Sequence, residues 1–254
     1  FEEKVALYRT PAMVIKSSYF GEADQITSFF SKRFGKIRAL AKGTRRFKNK
    51  LVSSLQPITL LELIYFARER QDLARINSCD IIYPFSGIKA DFEKIKRAYY
   101  ALELIDLTIP EGGIEPKLFI TLVRFLWLLE KSGNIQNIDS LVRLFEWHVL
   151  ASSGFKPRLE QCLFCKKVPE KEPIVFSMVT GGLLCGRCSI QVPDAISISP
   201  GSLIFIKNAL ETDLAKGINW QLPEILNEEL KEIAQKCFSS YLGREIKTAK
   251  FLAL

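Results

Sequence analysis

Four cysteines stand in two pairs whose spacing suits a single metal ion. Each pair has the form Cys-x2-Cys, and nineteen residues separate the pairs, which are Cys162, Cys165, Cys185 and Cys188. A Cys-x2-Cys turn lets two thiolates approach one ion, and a second turn completes a tetrahedral shell of four sulfur atoms. Because four thiolates leave no coordination position open, the pattern predicts one structural Zn²⁺ that folds a small lobe, not a catalytic metal.

Three other uses of these cysteines remain open. Disulfide bonds require an oxidising compartment, which nothing in the sequence indicates. A redox Cys-x2-Cys motif is normally single and lies at a helix N-terminus, and iron–sulfur clusters usually have other spacings. The two cysteines outside the pairs, Cys79 and Cys237, are expected to be buried as small apolar side chains.

The single histidine limits the catalytic chemistry that the chain can support. His148 shares a predicted helix face with Leu141, Leu144 and Phe145, which favours a packed core residue over a general base. The sequence has no phosphate-binding glycine loop, no dinucleotide-binding motif and no His-Glu-x-x-His motif. We therefore predict that the protein is not an enzyme.

The positive charge of the chain is concentrated near its beginning. The whole sequence has 36 Lys+Arg and 28 Asp+Glu, a formal net charge of +8. Residues 1–50 hold 12 basic and 4 acidic residues, so the other four-fifths is balanced. The stretch 32–50 has no acidic residue, and its nine basic residues are Lys32, Arg33, Lys36, Arg38, Lys42, Arg45, Arg46, Lys48 and Lys50.

Such a basic stretch predicts binding to a polyanion. Lys and Arg clusters bind phosphates through counterion release and need no base specificity. Phe34 and Phe47 lie among the charges and are candidates for stacking against unpaired bases, whereas Phe30 is more readily explained as a core residue of a strand. The plainer interpretation is a solvated loop that only aids solubility, although uncompensated like charges repel one another.

The pattern before residue 80 predicts a small β-barrel. Five short segments, separated by short links, either are rich in residues that favour strands or alternate between apolar and polar side chains. Gly21 and Gly35 stand where turns are expected. Ile37, Ala39 and Ala41 alternate with residues that are mainly cationic and that would form the opposite face of the strand. The natural candidate is the five-stranded OB-fold, which binds oligonucleotides on its middle strands and adjoining loops. The predicted strands are Ala12–Ser18, Gln25–Phe30, Gly35–Lys42, Ile58–Phe66 and Asp72–Cys79.

A helical period replaces the strand period after Lys89. We predict helices over 89–108 and 116–131, one beginning at Asp139, one from an N-cap at Ser199 to Leu210, and one from Pro223 to about Tyr241. The predicted fold is therefore a multidomain α+β protein. Its parts are an OB-fold DNA-binding domain (1–80), a helical domain in two parts (81–158 and 197–254), and a four-cysteine zinc-binding element between them (159–196).

No segment reaches the roughly 18 uninterrupted apolar residues of a membrane span. The first residues, Phe1-Glu2-Glu3-Lys4, contain no apolar signal core. We therefore expect a cytoplasmic protein without a membrane partner.

Together these features resemble the RecO family of bacterial DNA repair and recombination mediators, and the resemblance covers nearly the whole chain. Four local patches carry it, in matching order and spacing. They are Ser18-Tyr19-Phe20-Gly21-Glu22-Ala23-Asp24 with Ile26-Thr27-Ser28-Phe29 and Gly35-Lys36; Ala41-Lys42-Gly43-Thr44-Arg45-Arg46 with Leu55-Gln56-Pro57; Gly154-Phe155-Lys156-Pro157-Arg158-Leu159 before Cys162-Leu163-Phe164-Cys165; and Phe176 with Gly181-Gly182-Leu183-Leu184-Cys185-Gly186-Arg187-Cys188.

The resemblance implies a function without catalysis. Members of the family bind single- and double-stranded DNA and anneal complementary strands. They act with RecR and with the C-terminal tail of the single-stranded DNA-binding protein SSB to promote RecA loading, which places them at the nucleoid. Carried over, the patch Gly43-Thr44-Arg45-Arg46 would lie in the DNA-binding region, and the four paired cysteines would bind zinc. One departure is Phe47-Lys48-Asn49-Lys50, where a serine after a basic residue is expected.

Two classes of function therefore compete. The first is a non-enzymatic mediator that binds and anneals DNA. The second is a zinc-containing interaction adaptor whose ligand is an acidic protein segment or RNA, because the same basic face would attract either. An enzyme that uses the zinc lobe only as structure is a third and weaker possibility. Competition between single-stranded DNA and an acidic peptide separates the first two.

Overall fold

The computed structural model describes residues 5–44, 51–68, 73–169, 173–217 and 219–253. The chain divides into two compact units, one of Phe1–Lys131 together with Phe251–Leu254 and one of Ser132–Lys250. This division falls inside the predicted first part of the helical domain, where no boundary is predicted. The predicted boundaries at 80/81 and 196/197 fall inside the strands Ala74–Tyr83 and Ile196–Ile198, that at 158/159 falls in a connection, and the four-part division stays a prediction.

The first unit begins with a closed five-stranded barrel of strand order β1-β2-β3-β5-β4. Neighbouring strands are antiparallel except β3 and β5, whose parallel pairing at Ala39↔Ala74 and Leu40↔Arg75 closes the barrel. This order is that of the predicted OB-fold. The strands are β1 (Val5–Phe20), β2 (Asp24–Ser31), β3 (Gly35–Ala41), β4 (Thr59–Arg68) and β5 (Ala74–Tyr83).

On β3 the barrel core follows from alternation along the strand. On β3, Ile37, Ala39 and Ala41 are buried, while Arg38 is exposed between them. The same inward set includes Val14 and Phe29 on the neighbouring strands. Because successive side chains point to opposite faces of a strand, Lys36, Arg38 and Leu40 lie on the outside of the barrel. The predicted facing of this strand is therefore correct.

Helices complete the first unit. Asp91 caps α3, because its carboxylate accepts hydrogen bonds from the backbone N–H groups of Glu93 and Lys94. The helix predicted over 89–108 therefore begins three residues later, at Phe92, whereas the helix predicted over 116–131 has the predicted bounds. The helices are α1 (Leu51–Ser54), α2 (Ser86–Lys89), α3 (Phe92–Thr108) and α4 (Pro116–Lys131). Phe30, buried on β2, packs edge-on against Phe119 of α4 and is the expected core residue.

The turn between β2 and β3 lies against the connection between α3 and α4. The backbone N–H of Gly112 donates to the Lys36 carbonyl oxygen at 3.0 Å. Gly35 has φ +66°, and a Cβ atom there would lie 2.1 Å from the Gly113 carbonyl oxygen. Gly35 is therefore required both for its left-handed backbone and for this close approach.

We expect Gly35→Ala to lower the free energy of unfolding by about 3 kcal/mol, because a strained φ and a backbone clash combine. Gly112→Ala is the matched control, since Gly112 has φ +71° but open space around its Cα. The control should lose only about 1 kcal/mol. Urea unfolding of both variants measures the difference, and equal losses would show that the approach of the two backbones is unimportant.

The second unit combines four helices with a small sheet. Asn134 caps α5 through a hydrogen bond from the Gln136 backbone N–H to its side chain, so this helix begins four residues before the predicted start at Asp139. The predicted N-cap Ser199 is confirmed, because its hydroxyl accepts from the Ser202 backbone N–H at 3.1 Å. The helices are α5 (Ile135–Ser152), α6 (Pro200–Glu211), α7 (Leu214–Gly217) and α8 (Glu224–Leu242).

The paired cysteines belong to a three-stranded antiparallel sheet of order β7-β6-β8. Its strands are β6 (Ile174–Ser177), β7 (Gly182–Cys185) and β8 (Ile196–Ile198), and a 3₁₀ helix follows at Cys188–Gln191. A second 3₁₀ helix covers Lys247–Ala253. Among the described residues, no helix is both long and apolar enough to cross a membrane. The predicted α+β class, with an N-terminal barrel and a helical region that carries the cysteines, is confirmed.

Candidate metal centre and nucleic-acid interface

The structure brings the four predicted cysteines together. The sulfur atoms of Cys162, Cys165, Cys185 and Cys188 all lie within 4.8 Å of one another. The Cys165 and Cys185 sulfurs are 3.8 Å apart. Ligands at the usual Zn–S distance in a tetrahedron are also about 3.8 Å apart. The cluster can therefore hold one metal ion, and its donor set of four thiols fits zinc.

Two tight turns present the sulfur atoms. In the first, the Lys166 N–H donates to the Cys162 carbonyl oxygen and the Cys162 N–H donates to the Lys167 carbonyl oxygen, both at 2.9 Å. Lys166 itself adopts a left-handed backbone with φ +62°. In the second turn, the Ser189 hydroxyl donates to the Gly186 carbonyl oxygen at 3.0 Å. These bonds fix the backbone of each turn, and the Leu163 N–H, which donates to the Leu183 carbonyl oxygen at 2.9 Å, links the first turn to β7 beside the second.

The sheet beneath the cluster is held by a partly buried polar contact. The Asp194 carboxylate accepts hydrogen bonds from the Ser177 hydroxyl at 2.8 Å and from the Val179 N–H at 2.9 Å. This contact closes the turn from β6 to β7. Gly182, on β7, lies so close to Arg158 that a Cβ atom would meet its carbonyl oxygen at 2.3 Å. In this sheet, hydrogen bonds to Asp194 therefore fix the turn, and the absence of a side chain at Gly182 allows the close approach of Arg158.

The thiols ionise unequally. Burial opposes ionisation of Cys162, but backbone N–H groups, first that of Cys165, outweigh it and lower its pKa to about 6. Hydrogen bonding with backbone and thiol groups, chiefly at Cys188, lowers the pKa of Cys185. Hydrogen bonding to Cys185 and burial raise the pKa of Cys188 to about 12. Because the thiolates repel one another, complete ionisation of the cluster calls for a cation such as Zn²⁺.

The remaining cysteines and the histidine are packing residues. Cys79 lies in the barrel core and Cys237 is buried in α8, and burial raises the pKa of each thiol. His148 is half-buried, and its Nε2–H donates to the Thr212 carbonyl oxygen at 3.0 Å. Burial lowers the pKa of this imidazole, which is therefore neutral near pH 7. The predicted burial of Cys79 and Cys237 is confirmed, whereas His148 is only half-buried and has a backbone hydrogen-bond partner.

The structure separates the basic stretch into three groups. Lys32 and Arg33 are exposed in the turn between β2 and β3. Lys36 and Arg38 lie on β3, and Lys42 is exposed just after it. The length of β3 alone puts about 20 Å between the first and last groups. The remaining predicted residues, Arg45, Arg46, Phe47, Lys48 and Lys50, lie outside the described residues.

The two cations on β3 are paired with carboxylates of the helical part of the first unit. The Lys36 ammonium lies 2.9 Å from Asp106 Oδ1 and donates to the Asp106 carbonyl oxygen at 2.6 Å, and its side chain is only 11% exposed. Arg38 forms a more open pair with Glu111 at 3.3 Å. Lys36 therefore ties the barrel to α3, a role that the sequence pattern did not reveal.

Phe34 is half-buried at the edge of the barrel core. Its ring lies 5.2 Å from that of Tyr8 and 6.2 Å from that of Tyr65, both edge-on. The Arg33 guanidinium lies 5.4 Å from the Phe34 ring centroid. This placement favours packing, so stacking of Phe34 against a base stays a prediction without support from the geometry.

The chain after β3 is held against the turn between β1 and β2. The Gly43 N–H donates to Asp24 Oδ1 at 2.9 Å, and the Thr44 hydroxyl donates to the Ala23 carbonyl oxygen at 3.2 Å. Asp24 therefore positions the start of the segment that carries Arg45 and Arg46. Its charge alone did not indicate this role. The only sequence signal for it was its place in the first patch of the family resemblance.

The chain is similar in sequence to known proteins along both units. The family model described as "Recombination protein O N terminal" matches residues 5–85, and that described as "Recombination protein O C terminal" matches residues 89–250. A protein named DNA repair protein RecO from Syntrophus aciditrophicus (strain SB) is 29% identical over 252 residues, covering 97% of this chain and 95% of that protein. A protein of the same name from Alkaliphilus metalliredigens (strain QYMF) is 30% identical over 232 residues, covering 89% of this chain and 92% of that protein.

Proposed function

Because the chain belongs to the RecO family of DNA repair and recombination proteins, we propose that it is a non-enzymatic recombination mediator. It binds single- and double-stranded DNA and anneals complementary strands. It acts with RecR and with the C-terminal tail of SSB to promote the loading of RecA. Its place is the cytoplasm, at the nucleoid.

One observation of the barrel supports this proposal most directly. Lys42 is exposed and makes no ion pair with any described residue, and it leads into a segment with four more basic residues and no acidic one. The hydrogen bonds to Asp24 and Ala23 hold the start of this segment at the turn between β1 and β2. In an OB-fold, that turn borders the oligonucleotide-binding face.

We rank the predicted DNA contacts by the ion pairs of the described residues and by the density of basic residues in the sequence. Lys42, Arg45, Arg46, Lys48 and Lys50 form the principal contact in our proposal. Lys32 and Arg33 add a separate contact at the other end of the β2–β3 hairpin. Lys36 and Arg38 contribute less, because Asp106 and Glu111 already offset their charges.

Annealing by such a surface requires no covalent chemistry. Lys and Arg side chains neutralise phosphates and so reduce the repulsion between two DNA strands held close together. Phosphate contacts carry no sequence information, which leaves the bases free to find their complements. The role of the protein is therefore to raise the local concentration of two strands and to lower their repulsion.

The cysteine cluster has a structural part in this proposal. Cys162, Cys165, Cys185 and Cys188 would together hold one Zn²⁺. When bound, the ion supplies a fixed tetrahedral link between the two Cys-x2-Cys turns. The residues themselves position the sheet and take no part in a reaction.

DNA binding by the purified protein should fall steeply with salt. With about five phosphate contacts to a single strand, the slope of log affinity against log salt concentration should be near −3.5. Fluorescence anisotropy with labelled oligonucleotides measures the slope, and a strand-annealing assay with complementary labelled strands measures the activity. Affinity that is unchanged between dilute and physiological salt would contradict the proposal. Displacement of DNA by an acidic peptide at equal concentration, without annealing activity, would favour the adaptor instead.

A further inference from the structure

A band of outward-facing residues crosses the strands of the barrel. Cross-strand neighbours lie side by side on one face of a sheet. From Leu40 on β3, the register leads to Arg75 on β5, then to Phe66 on β4 and to Leu7 on β1. In the other direction it leads from Leu40 to Ile26 on β2. Leu40 is two residues before Lys42, so this band is continuous with the proposed DNA contact.

The band borders a cavity of about 430 Å³. This volume is within the range of small-molecule sites in proteins, which is about 300–1,000 Å³. The cavity lies between the end of β4 and the beginning of β5. Its lining combines apolar side chains with two arginines: Val5, Phe66, Ala67, Arg68, Leu73 and Arg75.

Two of the lining residues expose groups that could contact a ligand. Phe66 is 37% exposed, although its neighbours Tyr65 and Ala67 face the barrel core. Arg75 is exposed and forms no salt bridge or hydrogen bond with the residues that the structure describes. An aromatic face beside a free guanidinium is the combination that binds one nucleotide, because the ring stacks on the base and the cation contacts the phosphate.

We propose that this cavity binds an unpaired base of single-stranded DNA, with Phe66 stacking on the base and Arg75 contacting a neighbouring phosphate. The inference rests on the proposed function and extends it to two residues outside the basic stretch. A base in a duplex is stacked and paired, so it cannot enter a side cavity without the cost of extrusion. The cavity therefore gives the barrel a preference for single strands, which the phosphate contacts of Lys42 and its neighbours do not provide.

The test is Phe66→Ala, measured by anisotropy with an oligo-dT strand and with a duplex of equal length. Affinity for the single strand should fall about tenfold, because one base–aromatic stack is lost, while duplex affinity stays within about twofold. Arg75→Gln should lessen the salt slope for the single strand by about 0.7, the contribution of one phosphate contact. Phe66→Leu keeps the apolar volume without the aromatic face and should behave like Phe66→Ala, which separates lost stacking from misfolding.

Matched controls come from the same unit. Phe92→Ala removes an aromatic ring that is 71% exposed on α3, and Lys117→Gln removes an exposed cation of α4. Both should leave the preference for single strands unchanged. Photocrosslinking with 5-iododeoxyuridine in the strand should label the peptide that contains Phe66.

Three outcomes would overturn this inference and leave the proposed function intact, provided that charge reversal at Lys42 still weakens DNA binding. The first is unchanged affinity of Phe66→Ala for the single strand. The second is an equal loss for single strand and duplex. The third is loss of the photocrosslink at the Phe66 peptide when an acidic peptide is added at a concentration that leaves the labelled strand bound to the protein. If charge reversal at Lys42 also had no effect, the proposed function itself would fail.

Discussion

The triple variant Lys42→Glu, Arg45→Glu, Arg46→Glu is expected to bind single-stranded DNA on the order of 100-fold more weakly than the wild type. Each substitution removes a phosphate contact and adds a repulsive charge. The slope of log affinity against log salt should become less steep by about 2, since each phosphate contact to a single strand contributes about 0.7. Anisotropy over a salt series measures both quantities, and annealing activity should fall with affinity.

The control for net charge is Lys117→Glu, Lys207→Glu, Lys216→Glu. These three lysines are exposed and make no ion pair with described residues, so the change of net charge is the same. If this control weakens binding as much, then the overall charge of the protein matters and not the segment that begins at Lys42. The double variant Lys32→Glu, Arg33→Glu measures the contact at the opposite end of the hairpin, and a loss larger than that of the triple variant would move the main contact there.

Replacing Cys162 by serine is expected to abolish metal binding and to unfold the sheet that carries the cluster. Cys162 is fully buried and packs against Val175 and Leu184, so it belongs both to the metal site and to the small core beneath it. Structural zinc in small domains contributes about 10–16 kcal/mol of apparent binding free energy, which the folded lobe loses with the metal. Metal analysis should find about one zinc per chain in the wild type and almost none in the variant.

Hydrogen exchange locates the damage. Amides of β6 and β7 should exchange rapidly in Cys162→Ser, while those of β1 to β5 keep their protection. Cys237→Ser is the matched control, because Cys237 is a buried thiol of the same unit but lies outside the cluster. The control should keep its zinc and lose only about 1–3 kcal/mol, the usual cost of burying a hydroxyl group without a good partner. A Cys162→Ser protein that kept both zinc and protection would show that the cluster has no structural role.

Much of the fold was accessible from local patterns. The alternation of Ile37, Ala39 and Ala41 predicted the facing of β3, because a strand exposes alternate side chains to the same surroundings. Pro116 predicted the start of α4, since proline is tolerated at the first turn of a helix. The start of α5 was missed because Asn134, and not Asp139, supplies the cap, and both residue types are good caps.

The candidate sites were likewise predictable only in part. Local spacing predicted the cysteine cluster, since each Cys-x2-Cys turn is a local structure and only the meeting of the two turns depends on the sheet. The pairing of Lys36 with Asp106 was not predictable, because the partners are far apart in sequence and meet only when α3 packs against the barrel. Charge counting alone therefore did not show that Lys36 and Arg38 form ion pairs within the protein.

By itself, the sequence determined the types of chemistry that the protein can offer: four thiols with metal-binding spacing, a single histidine, and a stretch of cations without anions. Only the tertiary structure decided which of these groups are available. Packing against α3 and the connection to α4 engages Lys36 and Arg38, and closure of the barrel brings Phe66 and Arg75 to a cavity near Leu40. The reason is that charges and rings act through their neighbours, and folding brings those neighbours from distant parts of the chain.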